Sequence, residues 1–184
     1  MQPLLRKVDG CAAVHFGGGW IFMLGWPGLR AGIDGRGWID PDDRQTALQG
    51  LASAGCRNLY ALTEREELPP GTRGGLRAAA AGCGISVRVA PIRDFQPPDS
   101  RFMRRWESHL RNDAHDLQQG RQVAFCCMAG AGRSGTLAAL LLVMAGVPSA
   151  DAIALIRAAN PEAIESRAQE QWLTSYFARH PLGP

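Results

Sequence analysis

The stretch from Gln122 to Val147 constrains the fold of this chain more than any other. It reads QVAFCCMAGAGRSGTLAALLLVMAGV: a short apolar run ending in two cysteines, a loop with glycines at 130, 132 and 135, then apolar and small residues from Leu137 to Val147. The first run has the length and composition of a buried strand. The second is eleven residues long and contains Gly146, too short for a membrane span, which needs about twenty, so it reads as a buried helix. A strand, glycine loop and helix in that order form a cradle for an oxyanion. Backbone N–H groups turn inward and the helix start adds positive potential. A Walker loop is excluded, because the GK[ST] ending is missing and a cysteine stands at the mouth.

The rest of the chain repeats the alternation. Further β-like runs cover 12–16, 20–24, 58–62 and 85–90, with the segment's own strand at 122–126, each bounded by glycine, proline or polar residues. Helical patterns cover 42–54, opened by Pro41 and closed by Gly55, then 72–81 and 100–119. Three more follow at 134–145, 149–159 with Ser149 as N-cap, and 166–180. The sum is an α/β domain finishing in a helical C-terminal third. With 184 residues and no repeat or linker, one domain over 1–184 is expected.

Composition narrows the function classes. Twenty bases against seventeen acids, with no long run of like charges, make a weak case for a nucleic-acid partner. Lys7 is the only lysine, so nineteen bases are arginines, a bias that reads first as codon usage. Arginine is also the side chain suited to gripping an oxyanion bidentately. The five cysteines (Cys11, Cys56, Cys83, Cys126 and Cys127) cannot all pair and show no C-x-x-C spacing, which disfavours a disulfide scaffold or zinc cage. The early apolar stretch is broken by Asp9, His15 and three glycines, so no signal peptide is expected. A reduced, cytoplasmic protein without a membrane span follows as the expectation.

Chemistry concentrates in CMAGAGRSGT, residues 127–136. A thiol at the mouth of the cradle has its thiolate favoured by the same N–H groups and helix dipole. Arg133, six residues on, presents a planar fork to two phosphoryl oxygens, and Ser134 offers a hydroxyl to the sulfur when it must leave. A bare cysteine-to-arginine match at this spacing is expected by chance about half a time in such a chain. Requiring the three glycines and a following Ser or Thr multiplies that by roughly one in ten thousand.

This loop resembles the signature loop of the cysteine-dependent protein tyrosine phosphatases, and the chain around it is similar to their dual-specificity branch, including the kinase-associated phosphatase group. LGWPG (24–28), PIRDFQPPD (91–99) and NPEAIESRAQEQWL (160–173) resemble further stretches of that branch. The resemblance implies a central, mostly parallel sheet of about five strands with helices on both faces. It implies a phosphatase that needs neither metal nor cofactor and acts through a phosphocysteine. Cys127 would be the nucleophile, while the amides from Met128 through Ala129, Gly130, Ala131 and Gly132 to Arg133, with the Arg133 guanidinium, would hold the phosphoryl oxygens. Asp94 would be general acid and then base, Ser134 would assist thiolate departure, and Gln169 matches a glutamine of the closing segment. Asp94 also stands without the family, on a proline-flanked loop at a strand end where α/β sites gather. Asp99 shares that loop but better suits the first turn of the next helix.

One departure from the family is Cys126, where histidine usually precedes the nucleophile. Three readings compete: a small buried residue, a redox partner protecting Cys127, and a mark of weakened activity. His109 and His115 face different sides of a helix and make a poor metal pair. Arg101, Arg104 and Arg105 read as a solvated helix face that also suits an acidic or phosphorylated substrate. The expected substrate is a phosphotyrosine protein or peptide, with phosphoserine and phosphothreonine second. A phosphoinositide or other small-molecule phosphatase, a phosphate-binding pseudophosphatase and a rhodanese-like sulfur transferase are the alternatives.

Overall fold

The computed structural model describes residues 8–32 and 37–179. Lys7 and His180, the expected end of the last helix, lie outside the described residues. Five strands form one sheet: β1 (Cys11–Phe16), β2 (Gly19–Gly25), β5 (Asn58–Ala61), β6 (Ser86–Val89) and β7 (Gln122–Cys127). The two remaining strands, β3 (Leu29–Ala31) and β4 (Gly37–Ile39), pair antiparallel with each other apart from it. The order in the large sheet is β1-β2-β7-β5-β6, with β1 antiparallel to β2 and every other pairing parallel. The strand that leads into the glycine loop is therefore central.

Among the described residues six helices cover the sheet: α1 (Pro41–Ser53), α2 (Thr72–Gly82), α3 (Ser100–Gln118), α4 (Gly132–Met144), α5 (Ser149–Ala159) and α6 (Arg167–Arg179). Alternation along the strands sorts side chains to two cores. Ile21, Met23, Phe125 and Cys127 face one core with Leu110 of α3, Leu140 of α4, Ile156 of α5 and Leu173 of α6. Phe22, Leu24, Ala124 and Cys126 face the other, with Leu48 and Leu51 of α1 and Leu76 of α2. Helix α4 is buried on every side from Gly132 to Val143, which explains its lack of a polar face. Helix α3 is pinned to the sheet by buried Asp113, which accepts from Tyr60 Oη and from Arg88 Nη1 at 2.9 Å.

Local signals set most boundaries. Asp40 caps α1 by accepting from Asp42 N and Asp43 N at 2.9 and 3.1 Å, with Pro41 next. Two expectations need correction. Ser149 is the first residue of α5 and not its cap, because Pro148 occupies the cap position and supplies no side-chain acceptor. Helix α4 begins at Gly132, two residues before Ser134, because the Gly135 N–H already bonds to Ala131 O at 2.8 Å. The β3–β4 hairpin and a 3₁₀ turn at Arg65–Glu67 were not expected, each element being only three residues long.

Candidate active site

Cys127 is the last residue of β7 and sits opposite Gly25 of β2. The chain then curls through Met128 to Ala131 and enters α4. Its cap residue, Ala131, offers no side-chain acceptor, so the first N–H groups of α4 are left for another acceptor. Inside the curl the Gly130 N–H donates to Cys127 Sγ at 3.2 Å, and Ser134 Oγ stands 3.4 Å from the same sulfur. Both contacts set a polar hydrogen beside the sulfur. The curl is tight at Gly130, where φ is +81° and a Cβ would stand 2.5 Å from the carbonyl carbon of Leu24, so only glycine fits. Asn160 Nδ2 donates to Gly130 O at 3.2 Å, Thr136 Oγ1 donates to Gly132 O at 2.7 Å, and Trp26 N donates to Met128 O at 3.2 Å. The LGWPG and NPEA stretches thus brace the loop from two sides.

Arg133 is 1% exposed and its fork is directed by carboxylates. Nη1 and Nη2 bond to Glu67 Oε1 and Oε2 at 2.6 and 2.8 Å, and Nη1 also donates to Ile92 O at 3.2 Å. Nη2 lies 3.1 Å from Asp94 Oδ1, while Nε is buried without a protein acceptor. Burial by itself would lower the Arg133 pKa, but hydrogen bonding and charge from Glu67, with the charges of Asp94 and Cys127, outweigh it and hold the pKa above its ordinary value. Glu67 therefore takes the terminal edge of the guanidinium. On the side edge Nη2 also meets Asp94, while Nε has no acceptor among the described residues, and that edge suits an incoming oxyanion.

Asp94 lies on the loop between β6 and α3, exposed and accepting from Phe95 N at 3.1 Å. Phe95 has φ +57°, a left-handed conformation uncommon for a side chain of that size. A clasp from the start of α6 holds it there. Ser166 Oγ donates to Phe95 O at 2.7 Å, and Gln169 Nε2 reaches Gln96 O at 3.5 Å. Ser166 and Gln169 also cap each other, Ser166 N to Gln169 Oε1 and Gln169 N to Ser166 Oγ, both at 3.2 Å. Gln169 is fully buried, and its contacts are with Ser166 and with Gln96 on the loop that carries Asp94, called the acid loop below for its expected role. Asp99 instead caps α3, accepting from Phe102 N at 2.6 Å.

Two carboxylates escaped the sequence reading. Glu67 belongs to a charged run that looks like a solvated face, and its partner lies 66 residues away. Glu165 packs over the start of α4, where any side chain at Gly132 would collide with its carboxylate. Desolvation first, then the charge of Asp94, push its pKa above the ordinary range, with Arg133 opposing. The pattern GAGR followed by AIE carried the only sequence hint, a glycine whose missing side chain makes room. Cys126 is fully buried on the opposite face of the sheet from Cys127, and burial pushes its thiol pKa well up. That placement sets Cys126 among core residues, across the sheet from Cys127.

Comparison with known proteins places these features in context. Residues 38–173 match the model described as Swiss Army Knife protein, DSP-PTPase phosphatase domain. The chain is 39% identical to protein tyrosine phosphatase type IVA 3 of Bos taurus over 99 residues, covering 54% of this chain and 56% of that protein. It is 38% identical to protein tyrosine phosphatase PRL-1 of Leishmania major over 103 residues, covering 53% and 58%. The chain thus spans little more than half the length of these relatives. Among solved structures, kinase associated phosphatase with serine replacing its catalytic cysteine superposes with a TM-score of 0.72 at 21% identity, over 95% of this chain and 97% of the other. A glycine-to-alanine mutant of Tk-PTP gives 0.61 at 28% identity, over 86% and 99%.

Proposed function

Because the chain belongs to the DSP-PTPase phosphatase domain family of the Swiss Army Knife proteins, we propose that it is a cysteine-dependent phosphatase. It hydrolyses phosphomonoesters on proteins, phosphotyrosine first, through a phosphocysteine intermediate. The observation that carries this is the placement of Cys127 Sγ, 3.2 Å from the Gly130 N–H and 3.4 Å from the Ser134 hydroxyl, at the end of a strand beside the buried Arg133 fork.

In the first step the Cys127 thiolate attacks phosphorus and the bond to the leaving oxygen breaks. The amides from Met128 to Arg133 and the side edge of the guanidinium take the equatorial oxygens. Asp94, displaced from Nη2 by the oxyanion and carrying a proton taken from solvent, gives that proton to the leaving oxygen and is left as the carboxylate. In the second step Asp94 accepts a proton from water as that water attacks the phosphocysteine. The phosphorus–sulfur bond breaks, and the Ser134 hydroxyl donates to the departing sulfur. Glu67 holds Arg133 in register throughout without touching substrate.

A phosphoprotein is favoured over a phosphoinositide because the loop from Met128 to Arg133 carries one base only, Arg133. A cytoplasmic location belongs to the same proposal, since the chemistry needs a reduced thiol. The test is turnover of an aryl phosphate in the presence of EDTA. The wild type should be active and Cys127→Ser inactive; no turnover by the wild type, or undiminished turnover by the variant, defeats the proposal.

A further inference from the structure

Beside the acid loop runs a groove of about 870 Å³, separate from the glycine loop but sharing a wall with it. Ile92 belongs to both: its carbonyl accepts from Arg133 Nη1, and the residue lines the groove. The next two residues divide the loop. Asp94 reaches the Arg133 guanidinium, whereas Arg93 lines the groove. The same groove is lined by Arg101 and Arg105 of α3, four residues apart and so on one face of the helix. All three arginines are exposed, and the aromatic side chains Phe102, Trp106 and Trp172 supply an apolar wall.

Three arginines outnumber the two carboxylates of the groove, Glu64 and Asp99, and among the described residues neither carboxylate makes an ion pair with them; Asp99 is turned to cap α3, accepting from Phe102 N at 2.6 Å. Among the described residues Arg93 and Arg101 have no ion pair, and Arg105 has only the ring of Trp106, 5.4 Å from its guanidinium carbon. Stacking on an aromatic face leaves the guanidinium N–H groups available to an oxyanion. Two like charges four apart on a helix repel each other, and an anion between them would relieve that repulsion.

We propose that this groove binds acidic side chains of the substrate peptide, flanking the residue whose phosphate enters the glycine loop. The proposal rests on the phosphatase reading and adds the substrate class: phosphopeptides with Asp, Glu or a second phosphoresidue close to the target. Because Ile92 both accepts from Arg133 and lines the groove, the acidic positions lie close to the target residue in the peptide. A concave groove with an aromatic wall suits a peptide side chain better than a flat lipid surface, which would meet only the rim.

The experiment measures anisotropy of labelled phosphotyrosine peptides bound to protein carrying Cys127→Ser, with Asp/Glu flanks or the same flanks as Asn/Gln. A third peptide replaces one flanking acid by phosphoserine, to separate the two anion sources. The acidic peptide should bind about tenfold tighter than the neutral one, a preference that fades with added salt and vanishes in Arg101→Gln/Arg105→Gln. That double variant, made without the cysteine change, should turn over aryl phosphate like the wild type. A charge swap, Arg101→Glu/Arg105→Glu, should prefer lysine-flanked peptides.

Equal binding of acidic and neutral peptides overturns the proposal. Arginine-dependent binding to phosphoinositide vesicles without a peptide preference overturns it in favour of a membrane. Loss of aryl phosphate turnover in the double variant assigns the arginines to the fold and also overturns it. Wild-type protein inactive on aryl phosphate, with the acidic preference intact, removes the phosphatase reading and leaves the groove; activity without the preference does the reverse.

Discussion

Glu67→Gln probes the electrostatic support of the site without changing its shape. The substitution keeps one oxygen, which can go on accepting from Glu64 N and Arg133 Nη1, the pair of bonds now made by Oε1 at 2.6 Å each. It sets an NH₂ group against Arg133 Nη2, where a 2.8 Å bond to Oε2 stands now. A hydrogen bond becomes a donor–donor clash, and the nearly buried guanidinium loses its main counter-charge. Removing one partner of a buried pair costs about 3–5 kcal/mol. Here the Glu67 side chain is 20% exposed, and Asp94 at 3.1 Å with Ile92 O at 3.2 Å remain, so the loss should be about 1–3 kcal/mol.

For a domain of this size about 2 kcal/mol lowers Tm by about 4–8 °C. Because the terminal edge of the fork no longer fixes the side edge, kcat/KM on an aryl phosphate should fall about tenfold to a hundredfold. Thermal unfolding by circular dichroism and steady-state hydrolysis read the two effects, with the exposed neighbour Glu66→Gln as control. An unchanged Tm together with unchanged kcat/KM would refute the assignment. A rise in kcat/KM would show that Glu67 competes with substrate for the guanidinium rather than orienting it.

Two further outcomes are expected. Ser166→Ala removes the bond to Phe95 O and half of the reciprocal cap on α6, at a cost of about 1 kcal/mol. Through the loosened acid loop it should lower kcat several-fold on alkyl phosphates and much less on p-nitrophenyl phosphate, whose leaving group needs little protonation; equal losses on both would sink the clasp's role. The second outcome concerns pH. Burial pushes the Cys56 thiol from 9.0 up to about 12, so the folded state keeps its proton after the unfolded chain has lost it. That contribution is complete below pH 9 and is lost as pH rises from 9 towards 12, by about 1.4 kcal/mol per unit. Urea midpoints between pH 8 and 11 should decline above 9, and Cys56→Ala should flatten the decline by one proton's worth; identical slopes would contradict it.

How much of the site was legible depended on whether each residue acts on neighbours in sequence. Cys127, Gly130, Arg133 and Ser134 lie within one short strand–loop–helix segment, and its path follows from a strand end, a glycine that alone tolerates φ +81°, and a helix start. Asp94 was visible from its position after a strand among prolines, and Asp99 from its place just before a helix. Glu67 was not, because nothing near Glu67 indicates that an arginine 66 residues later will be buried against it. Nor does Ser166 on its own point to Phe95, 71 residues earlier.

By itself the sequence determined the alternation of strands and helices to within a residue or two at most ends, the order of the glycine loop, and the grouping of Cys127, Arg133 and Ser134 around it. Those rest on hydrophobic period, capping residues and glycine placement, which act over a few residues. Tertiary structure decided which carboxylate takes which edge of the Arg133 guanidinium, which sheet face each of the adjacent thiols Cys126 and Cys127 occupies, and what clasps the acid loop. It also brought Arg93 of that loop alongside Arg101 and Arg105 of α3. For the guanidinium and the clasp the reason is the same: charges and hydrogen-bond donors acquire partners 66 and 71 residues away only when the sheet order β1-β2-β7-β5-β6 brings distant loops together.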